Sequence, residues 1–410
     1  MNLPSAENKK LKILIMSAPI GSGHRMAAVA LEEALLRLEN VEVVQGNVFD
    51  FFPSWIGKAF LRFYENVLSY CPSLYAWSYR WSNRGGGSLW MRNLVNGLLL
   101  RLGKAFIEAV KPDVVFSTHA TPTGILSMYK QKYDANLWLG VVVTDFTVHR
   151  WLVCPGVDAY FVADGKLSGQ IGDNTIILAT GIPVRSAFSE KKESVAVRRE
   201  VRNAFGWPAD AFVCLLAGGG GGMLPMEDIV RSLQNETYKE VHVVAVTGHN
   251  DALRKKLQAM QKVFPGKQVG AEATASAAVP AKSDPQRRQC RKSRLAVLGF
   301  TDEMPQLMQA SDVVITKAGG VSLAECLACG ANILIYHPLP GQEQGNTAFL
   351  QKENGVAAVT DIRQLDKFME SEMRIPLAER LQRQEARQQR YGHPDASQWI
   401  AEFIEKLRNG

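Results

Sequence analysis

The chain has 410 residues, of which 46% are hydrophobic and 21% charged, and its formal net charge is +7. The length allows two domains of ordinary size, and the composition is that of a globular protein rather than a disordered one. The polar start, MNLPSAENKK, lacks the apolar stretch of a signal peptide, and no run approaches the roughly 18 apolar residues of a membrane span. We therefore expect a cytoplasmic protein, or one peripheral to a membrane.

Strands alternate with helical patterns along most of the chain. The predicted strands of a first series are residues 12–17, 41–45, 113–117, 137–143, 159–163 and 176–179, and those of a second are 212–217, 241–247, 295–298, 313–316 and 333–336. Strands joined by crossover helices form a parallel, doubly wound sheet, whose ligands bind beyond the carboxyl ends of the strands. The sequence thus predicts an α/β protein with two such domains.

The predicted domain boundaries follow from the composition around these series. We expect an N-terminal domain at 1–180, a turn-rich linker at 181–195, a C-terminal domain at 196–380 and C-terminal helices at 381–410. Residues 265–294 are rich in Ala, Ser, Pro, Lys and Arg and lack periodicity, so we predict a mobile insertion there.

A strand, a small-residue loop and a helix start follow one another three times. The segments are LKILIMSAPIGSGHRM from Leu11, FVCLLAGGGGGM from Phe212 and DVVITKAGGVSLAE from Asp312. Backbone N–H groups at a helix N-terminus attract phosphate, so the last two loops indicate a phosphate-binding half. The first loop differs from a dinucleotide fingerprint, because Met26 stands where the third glycine belongs. A cleft between two α/β domains is the expected arrangement.

Polar residues at strand ends supply candidates for acid–base chemistry. His24 is expected in the first turn of a helix whose positive end disfavours the imidazolium, so it is a candidate to take a proton from an acceptor hydroxyl. Asp145 could orient His24 or be the base itself, and a structural capping role fits Asp145 equally well. His119 lies at another strand end, and His149 and Trp151 are predicted to border the acceptor entrance.

Basic and aromatic residues interleave between positions 51 and 106. The aromatic residues are Trp55, Phe60, Phe63, Tyr64, Trp77, Tyr79, Trp81 and Trp90, and the basic ones are Lys58, Arg62, Arg80, Arg84, Arg92, Arg101 and Lys104. Such a segment is typical of a bilayer interface beside anionic head groups, although rings of this kind also fill cores. A single-stranded nucleic acid groove would use similar residues, but no RNA-binding or helix-turn-helix signature accompanies them, so we expect no nucleic acid partner.

Seven motifs in this order resemble one known family. They are GSGHRMAA at 21–28, VTDFTVHRW at 143–151, TGIPV at 180–184, the glycine run at 218–222, GFTDEMPQLM at 299–308, TKAGGVSLAE at 316–325 and PGQEQGN at 340–346. The set is similar to the monogalactosyldiacylglycerol synthase and processive diacylglycerol glucosyltransferase group of glycosyltransferase family 28. The similarity spans nearly the whole chain apart from the predicted insertion. Ser22 departs from the glycine run that usually precedes the histidine.

The resemblance implies a GT-B fold, in which the N-terminal domain binds the acceptor and the C-terminal domain a UDP-sugar. The implied donor-binding residues are Gly218, Gly219 and Gly220 for close backbone approach, Phe300, Thr301 and Met304 for uracil, Glu325 for ribose, Gly319, Gly320 and Ser322 for diphosphate, and Gln342, Glu343 and Asn346 for the sugar. The implied acceptor-binding residues are Gly21, Ser22, Gly23, His119, His149 and Trp151. His24 and Asp145 are the catalytic candidates.

The function expected from the resemblance is inverting transfer of glucose or galactose, from UDP-glucose or UDP-galactose, to diacylglycerol. The enzyme would be peripheral on the inner face of the cell membrane, with an anionic membrane surface as a partner. No Asp-x-Asp pair occurs in the chain, which argues against a carboxylate-bound metal, and we expect no cofactor besides the UDP-sugar co-substrate. Cys326 and Cys329 have metal spacing but no second pair, so we interpret them as buried structural residues.

Other functions remain open on the sequence. The acceptor could be a different lipid, such as an undecaprenyl-linked intermediate or a sterol, or the chain could be a nucleotide-sugar-binding module without catalysis. UDP-sugar epimerisation with a bound dinucleotide would need a Tyr-x-x-x-Lys pair, which YKQKYD at 129–134 does not supply. His242, His249 and His337 are expected to be structural.

Overall fold

The computed structural model describes residues 10–18, 22–51, 55, 57, 72–84, 86–133, 135–172, 175–190, 194–261 and 293–409. Gly21 and nearly all of the predicted insertion at 265–294 lie outside these ranges, as do Lys58, Phe60, Arg62, Phe63 and Tyr64 of the basic aromatic segment.

Two parallel six-stranded sheets form the framework of the protein. The strands of the first are β1 (Leu11–Ser17), β2 (Val41–Asn47), β3 (Val114–Ser117), β4 (Trp138–Val142), β5 (Ala159–Val162) and β6 (Ile176–Ala179), and those of the second are β7 (Phe212–Ala217), β8 (Val241–Val246), β9 (Leu295–Leu298), β10 (Val313–Thr316), β11 (Ile333–Tyr336) and β12 (Ala357–Val359). The strand orders are β2-β1-β3-β4-β5-β6 and β12-β11-β10-β7-β8-β9. The predicted α/β architecture with two doubly wound sheets is confirmed.

The helices connect these strands and cover both sheets. They are α1 (Ser22–Leu35), α2 (Pro72–Asn83), α3 (Gly87–Val110), α4 (Ala120–Lys132), α5 (Ser194–Phe205), α6 (Met226–Ser232), α7 (Asp251–Gln261), α8 (Met304–Ala310), α9 (Gly320–Ala328), α10 (Gln342–Asn354), α11 (Ile362–Met373), α12 (Leu377–Tyr391) and α13 (Ala396–Asn409). Within the described ranges, no helix is both long and apolar enough to cross a membrane.

The central strands are apolar because helices cover them on both faces. Every residue of β4, β7, β8, β10 and β11 is buried. Continuous runs such as VVIT in β10 and ILIY in β11 are typical of parallel strands without a solvated face. These buried runs form the cores of the two sheets, and the loops at the carboxyl ends of the strands extend from them.

The last helix, α13, returns to the first sheet. Its Ile400 and Ile404 are fully buried in one cluster with Ile13 of β1. The Phe403 ring packs 6.0 Å from that of Trp138, between ring centroids. α13 is thus part of the N-terminal core, although the whole second sheet precedes it in the chain.

A buried charge cluster attaches α12 to the second sheet. Asp312, just before β10, forms ion pairs with Arg198, with Arg202 at 3.1 Å and with Arg380 of α12 at 2.7 Å. Its Oδ2 also accepts a hydrogen bond from the backbone N–H of Val213 at 2.8 Å. This carboxylate therefore joins α5, α12 and two neighbouring strands at the end of the sheet opposite the predicted cleft.

The basic aromatic segment includes α2 and α3, and it is divided between core and surface. Trp77 and Trp90 are 59% and 66% exposed. Arg92, in contrast, is buried, and its guanidinium donates to the Val153 carbonyl at 3.1 Å. The segment thus has both buried and exposed members, and its contact with a bilayer stays a prediction.

Candidate active site

His24 lies in the first turn of α1 and is held in one tautomer by its neighbours. Its Nδ1 is 2.8 Å from the Thr118 carbonyl oxygen and 2.9 Å from Thr144 Oγ1. A carbonyl can only accept, so Nδ1 carries the proton and Nε2 has a free lone pair. The ring therefore has the form that a general base requires.

The charge state of His24 suits the same role. Burial lowers the pKa of His24 below its usual range, while the negative charge of Asp145 and the hydrogen bond to Thr118 oppose this shift. The imidazole is therefore neutral at neutral pH. Burial is thus the main cause of the low pKa, rather than the helix N-terminus that the sequence pattern suggested.

His119 and His149 are neutral rings that also cap helix N-termini, His119 that of α4 and His149 that of a single turn at Arg150–Leu152. His119 Nδ1 accepts from the Thr121 N–H at 3.2 Å, and His149 Nδ1 accepts from the Trp151 N–H at 3.1 Å. Burial lowers the pKa of His149 to about 4 and that of His119 well below its usual range. The His119 ring lies edge-on to His24 with centroids 4.9 Å apart, so this residue lies beside the candidate base.

α2 is attached to the loop after β4 by hydrogen bonds at its last turn. Because His149 Nδ1 is an acceptor, its Nε2 carries the proton and donates to Ser82 Oγ at 3.1 Å, and Asn83 Oδ1 accepts from the Arg150 N–H at 2.7 Å. The indole N–H of Trp151 is buried without a hydrogen-bond partner in the described part of the chain. The predicted acceptor side therefore includes a helix that the motifs did not identify.

Asp145 contacts the C-terminal domain, and no hydrogen bond joins it to His24 in the described structure. Its Oδ2 accepts from Gln342 Nε2 at 2.6 Å and its Oδ1 from Asn346 Nδ2 at 2.9 Å. Asn346 is fully buried, and its Oδ1 accepts from the Phe146 N–H at 2.8 Å. Thr118 and Thr144 orient His24 instead, whereas Asp145 acts on it through its charge alone.

The loops of the two domains meet beside His24. The Gly220 N–H lies 3.3 Å from Ser22 Oγ, and a Cβ added to Gly220 would lie 2.8 Å from the Ser22 Cβ. A Cβ on Gly320 would lie 2.1 Å from the Thr144 carbonyl oxygen and 2.7 Å from Asp145 Oδ1. Glycine is thus required at both positions by close approach of the opposite domain, and Gly219 additionally has a φ of 69°.

Glu325 lies on α9, one helical turn after Ser322. Burial raises the pKa of Glu325 to about 7, and the charge of Arg185 partly opposes the shift. The carboxyl group is therefore poised between its neutral and charged forms near neutral pH. Perturbed groups of this kind are concentrated at functional sites.

The predicted uracil residues lie at the start of α8. The Phe300 ring is 53% exposed and stacks on the His249 ring, with centroids 4.7 Å apart and planes at 9°. Thr301 Oγ1 accepts from the Glu303 N–H at 3.2 Å, and Met304 packs against the core. From the sequence His249 was expected to be structural, and its stacking on Phe300 was not predicted, because only the fold brings the ends of β8 and β9 together.

The two candidate metal ligands in the sequence are structural. Cys326 and Cys329 are buried free thiols, with Cys326 Sγ 3.9 Å from Met308 Sδ. Within the described ranges, no group of three or more His, Cys, Asp or Glu side chains is arranged to hold a metal ion. The expectation that the reaction uses neither metal nor cofactor stays a prediction.

Comparison with known proteins identifies the class. Residues 24–184 match the monogalactosyldiacylglycerol (MGDG) synthase family model, and residues 213–398 match the glycosyltransferase family 28 C-terminal domain. Among solved structures, MurG of Acinetobacter baumannii aligns with a TM-score of 0.58 at 14% identity, covering 97% of this chain and 99% of that one. Anabaena HepE in complex with UDP-glucose aligns with a TM-score of 0.52 at 14% identity, covering 97% and 100%. The fold is GT-B, and the chain is a glycosyltransferase of family 28.

Sequence relatives narrow the assignment within that family. Processive diacylglycerol beta-glucosyltransferase of Bacillus licheniformis is 25% identical over 361 residues, which cover 86% of this chain and 84% of the relative. The enzyme of the same name from Bacillus cereus strain AH187 is 25% identical over 421 residues, which cover 97% and 94%. These relatives and the match at residues 24–184 confirm the similarity to the monogalactosyldiacylglycerol synthase and processive diacylglycerol glucosyltransferase group that the motifs predicted.

Proposed function

We propose that the protein is an inverting UDP-sugar-dependent hexosyltransferase that moves glucose or galactose to diacylglycerol. The observation that carries the proposal is the tautomer of His24, whose unprotonated Nε2 lies in the first turn of α1 where Ser22 meets the glycine loop of the C-terminal domain. A general base next to loops suited to phosphate is the pairing that glycosyl transfer needs. The names of the relatives support diacylglycerol as the acceptor.

The proposed reaction is a single displacement. His24 Nε2 takes the proton of the acceptor hydroxyl as its oxygen attacks the anomeric carbon of the donor sugar. The bond from that carbon to the β-phosphate oxygen breaks, and its electron pair leaves with UDP. One displacement inverts the anomeric centre, so an α-linked donor yields a β-glycosyldiacylglycerol.

The donor would bind to loops at the carboxyl ends of the second sheet. Uracil would lie against Phe300, with the ribose hydroxyls on Glu325 and the diphosphate at Gly319 and Gly320, where α9 begins. Gln342 and Asn346 donate to Asp145 in this structure, so a donor sugar that binds them replaces or shares these hydrogen bonds. The HepE structure, which is a complex with UDP-glucose, supports a UDP-sugar as the ligand of a fold of this kind.

The acceptor would come from a membrane surface that α3 contacts. Trp90, Leu94, Leu98 and Leu102 recur every fourth residue and are between 48% and 66% exposed, so they form one apolar ridge on the helix. Arg101 and Lys104 lie at the end of this ridge, and the helix has its first acidic residue at Glu108. An apolar ridge with basic neighbours suits the interface of an anionic bilayer, and we place it at the inner face of the cell membrane.

The test is product formation from radiolabelled donors. UDP-glucose and UDP-galactose are offered separately to the purified enzyme with liposomes that contain diacylglycerol and an anionic lipid, and products are separated by thin-layer chromatography. We expect a chloroform-soluble labelled glycolipid from at least one donor. His24→Ala should lower the rate by about 10²- to 10⁴-fold, the range typical of a general base, without changing the affinity for UDP.

Two results would contradict the proposal. Absence of any lipid product from both donors, in a protein that binds UDP, would exclude diacylglycerol as the acceptor. Unchanged turnover by His24→Ala would exclude His24 as the base.

A further inference from the structure

Lys317 is the charged side chain of the TKAGG motif, and no role was predicted for it from the sequence. It directly follows β10, whose neighbour β7 leads into the glycine run, since Thr316 pairs with Ala217 in the sheet register. A Cβ added to Gly219 would lie 3.2 Å from Lys317 Cε, and one added to Gly319 would lie 3.7 Å from it. The side chain therefore lies between the two loops that were predicted to contact the donor.

The surroundings of Lys317 leave its ammonium available for a ligand. The side chain is 26% exposed, and Nζ lies 3.6 Å from Glu343 Oε1, too far for a hydrogen bond. Among the described residues, no acceptor of a hydrogen bond from this ammonium is found. Glu343 itself is held by the backbone, because its Oε2 accepts from the Leu339 N–H at 3.0 Å.

The N-terminus of α9 provides a second positive group near Lys317. The N-terminus of α9 begins at Gly320, three residues after Lys317, and its backbone N–H groups carry the positive end of the helix dipole. Glu343 balances Lys317 only in part, because a single carboxylate that accepts no hydrogen bond from the ammonium is a weak partner. The geometry is thus that of an anion site with one partly exposed lysine at its edge.

We propose that Lys317 binds the diphosphate of the nucleotide and neutralises the charge that develops on UDP as it leaves. The inference rests on the proposed function, since it places Lys317 in the donor site of that reaction. Glu343 keeps the ammonium in position before the nucleotide binds, and the diphosphate then replaces this carboxylate as the ionic partner. Lysine suits this exchange because its long stem lets the ammonium move between partners.

The test compares ligands that differ only in phosphate. Isothermal titration calorimetry measures the affinities of uridine, UMP and UDP for the wild type, Lys317→Met and Lys317→Arg. We expect Lys317→Met to weaken UDP by about 10- to 100-fold, the usual range for a hydrogen bond to a charged group, and to change uridine by less than about twofold. Lys317→Arg keeps the positive charge, so its affinity for UDP should lie between those of the wild type and Lys317→Met.

Matched variants separate this site from a general effect of charge. Lys352→Met removes one lysine from α10, where the side chain is 82% exposed, and should leave the affinities of all three ligands unchanged. Glu343→Gln removes the competing carboxylate and keeps an acceptor for the Leu339 N–H. We expect it to tighten UDP by about two- to fivefold, the usual range for a weak ion pair.

The outcomes distinguish this inference from the proposed function. Failure of the wild type to bind UDP would count against the proposed function itself. Wild-type UDP affinity in Lys317→Met would overturn the role of Lys317 alone. The role of Lys317 would also be overturned if Lys317→Met lost affinity for uridine and UDP equally while its melting temperature stayed unchanged. Lys317 would then support the shape of the site and would not bind phosphate.

Discussion

Asn346 in the C-terminal domain donates directly to Asp145 in the N-terminal domain, with Nδ2 2.9 Å from Oδ1. The same amide donates to the Ala318 carbonyl at 2.9 Å and accepts from the Phe146 N–H at 2.8 Å. A single side chain therefore satisfies polar groups on both sides of the cleft, in a position without solvent access.

We expect Asn346→Ala to destabilise the protein by about 2–4 kcal/mol, because it leaves several buried polar groups without partners. Gln342→Ala is the matched control, since Gln342 is only half-buried and has one hydrogen bond to Asp145. Gln342→Ala should lower the free energy of unfolding by about 1 kcal/mol, the usual net value of one hydrogen bond. The midpoints of thermal unfolding of the two variants check this order, and equal midpoints would contradict it.

The pH profile of kcat, measured with the donor saturating at every pH, should report the ionisation of His24. Burial lowers its pKa below 6.5 and the base must be neutral, so activity rises with pH through a value below 6.5 and is level above it. Asp145 favours the imidazolium by its charge, so Asp145→Asn should lower this pKa further and shift the acidic limb to lower pH. Complete loss of activity in Asp145→Asn would instead indicate that Asp145 is the base.

Binding of uridine should strengthen as the pH rises from about 6 to 8. The pKa of Glu325 is about 7, and the carboxylate is a better acceptor for the ribose hydroxyls than the neutral acid. About nine-tenths of Glu325 is protonated one unit below its pKa, so the affinity should change by up to about tenfold. Calorimetry with uridine avoids the titration of phosphate groups. Glu325→Gln should remove the pH dependence, and its persistence in that variant would assign it to another group.

The apolar ridge on α3 should determine liposome binding. Replacing Trp90 and Leu98 together by serine removes two exposed apolar side chains, each worth about 1.5–3 kcal/mol when fully buried. Sedimentation with anionic liposomes should show at least about a tenfold loss of partitioning, with the UDP affinity unchanged. Trp399→Ser is the control, because Trp399 is also exposed but lies on α13. Equal losses in both proteins would show that the ridge has no special role.

Most of the fold could be predicted from the apolar pattern of the sequence. The strands Ile176–Ala179, Phe212–Ala217 and Leu295–Leu298 begin and end where the sequence placed them, because each is a short apolar run bounded by turn residues. β12 was missed, since three residues at a sheet edge are too few to form a pattern. The return of α13 to the first sheet was also missed, because helical periodicity shows an apolar face but not what that face covers.

The site was predictable only as a set of loops. The motifs predicted that His24 and Glu325 lie at the cleft. They did not predict the partners of His24, Thr118 and Thr144, which lie about a hundred residues further along the chain. The stacking of His249 on Phe300 likewise depends on the order of the strands. Spacing in sequence cannot show such contacts, since they arise from parallel pairing of distant segments.

The position of α13 governs how the two halves of this protein can be exchanged with those of other enzymes. Consider a hybrid enzyme with a single junction in the linker. Its first sheet would come from one enzyme and its last helix, which packs on that sheet, from the other. Ile400 and Ile404 would then meet foreign neighbours, and Arg408, whose guanidinium donates to the Glu39 carbonyl at 2.8 Å, would lose its anchor. Donor specificity should therefore be transplanted with two junctions, the second between α12 and α13, so that the acceptor half keeps its own final segment.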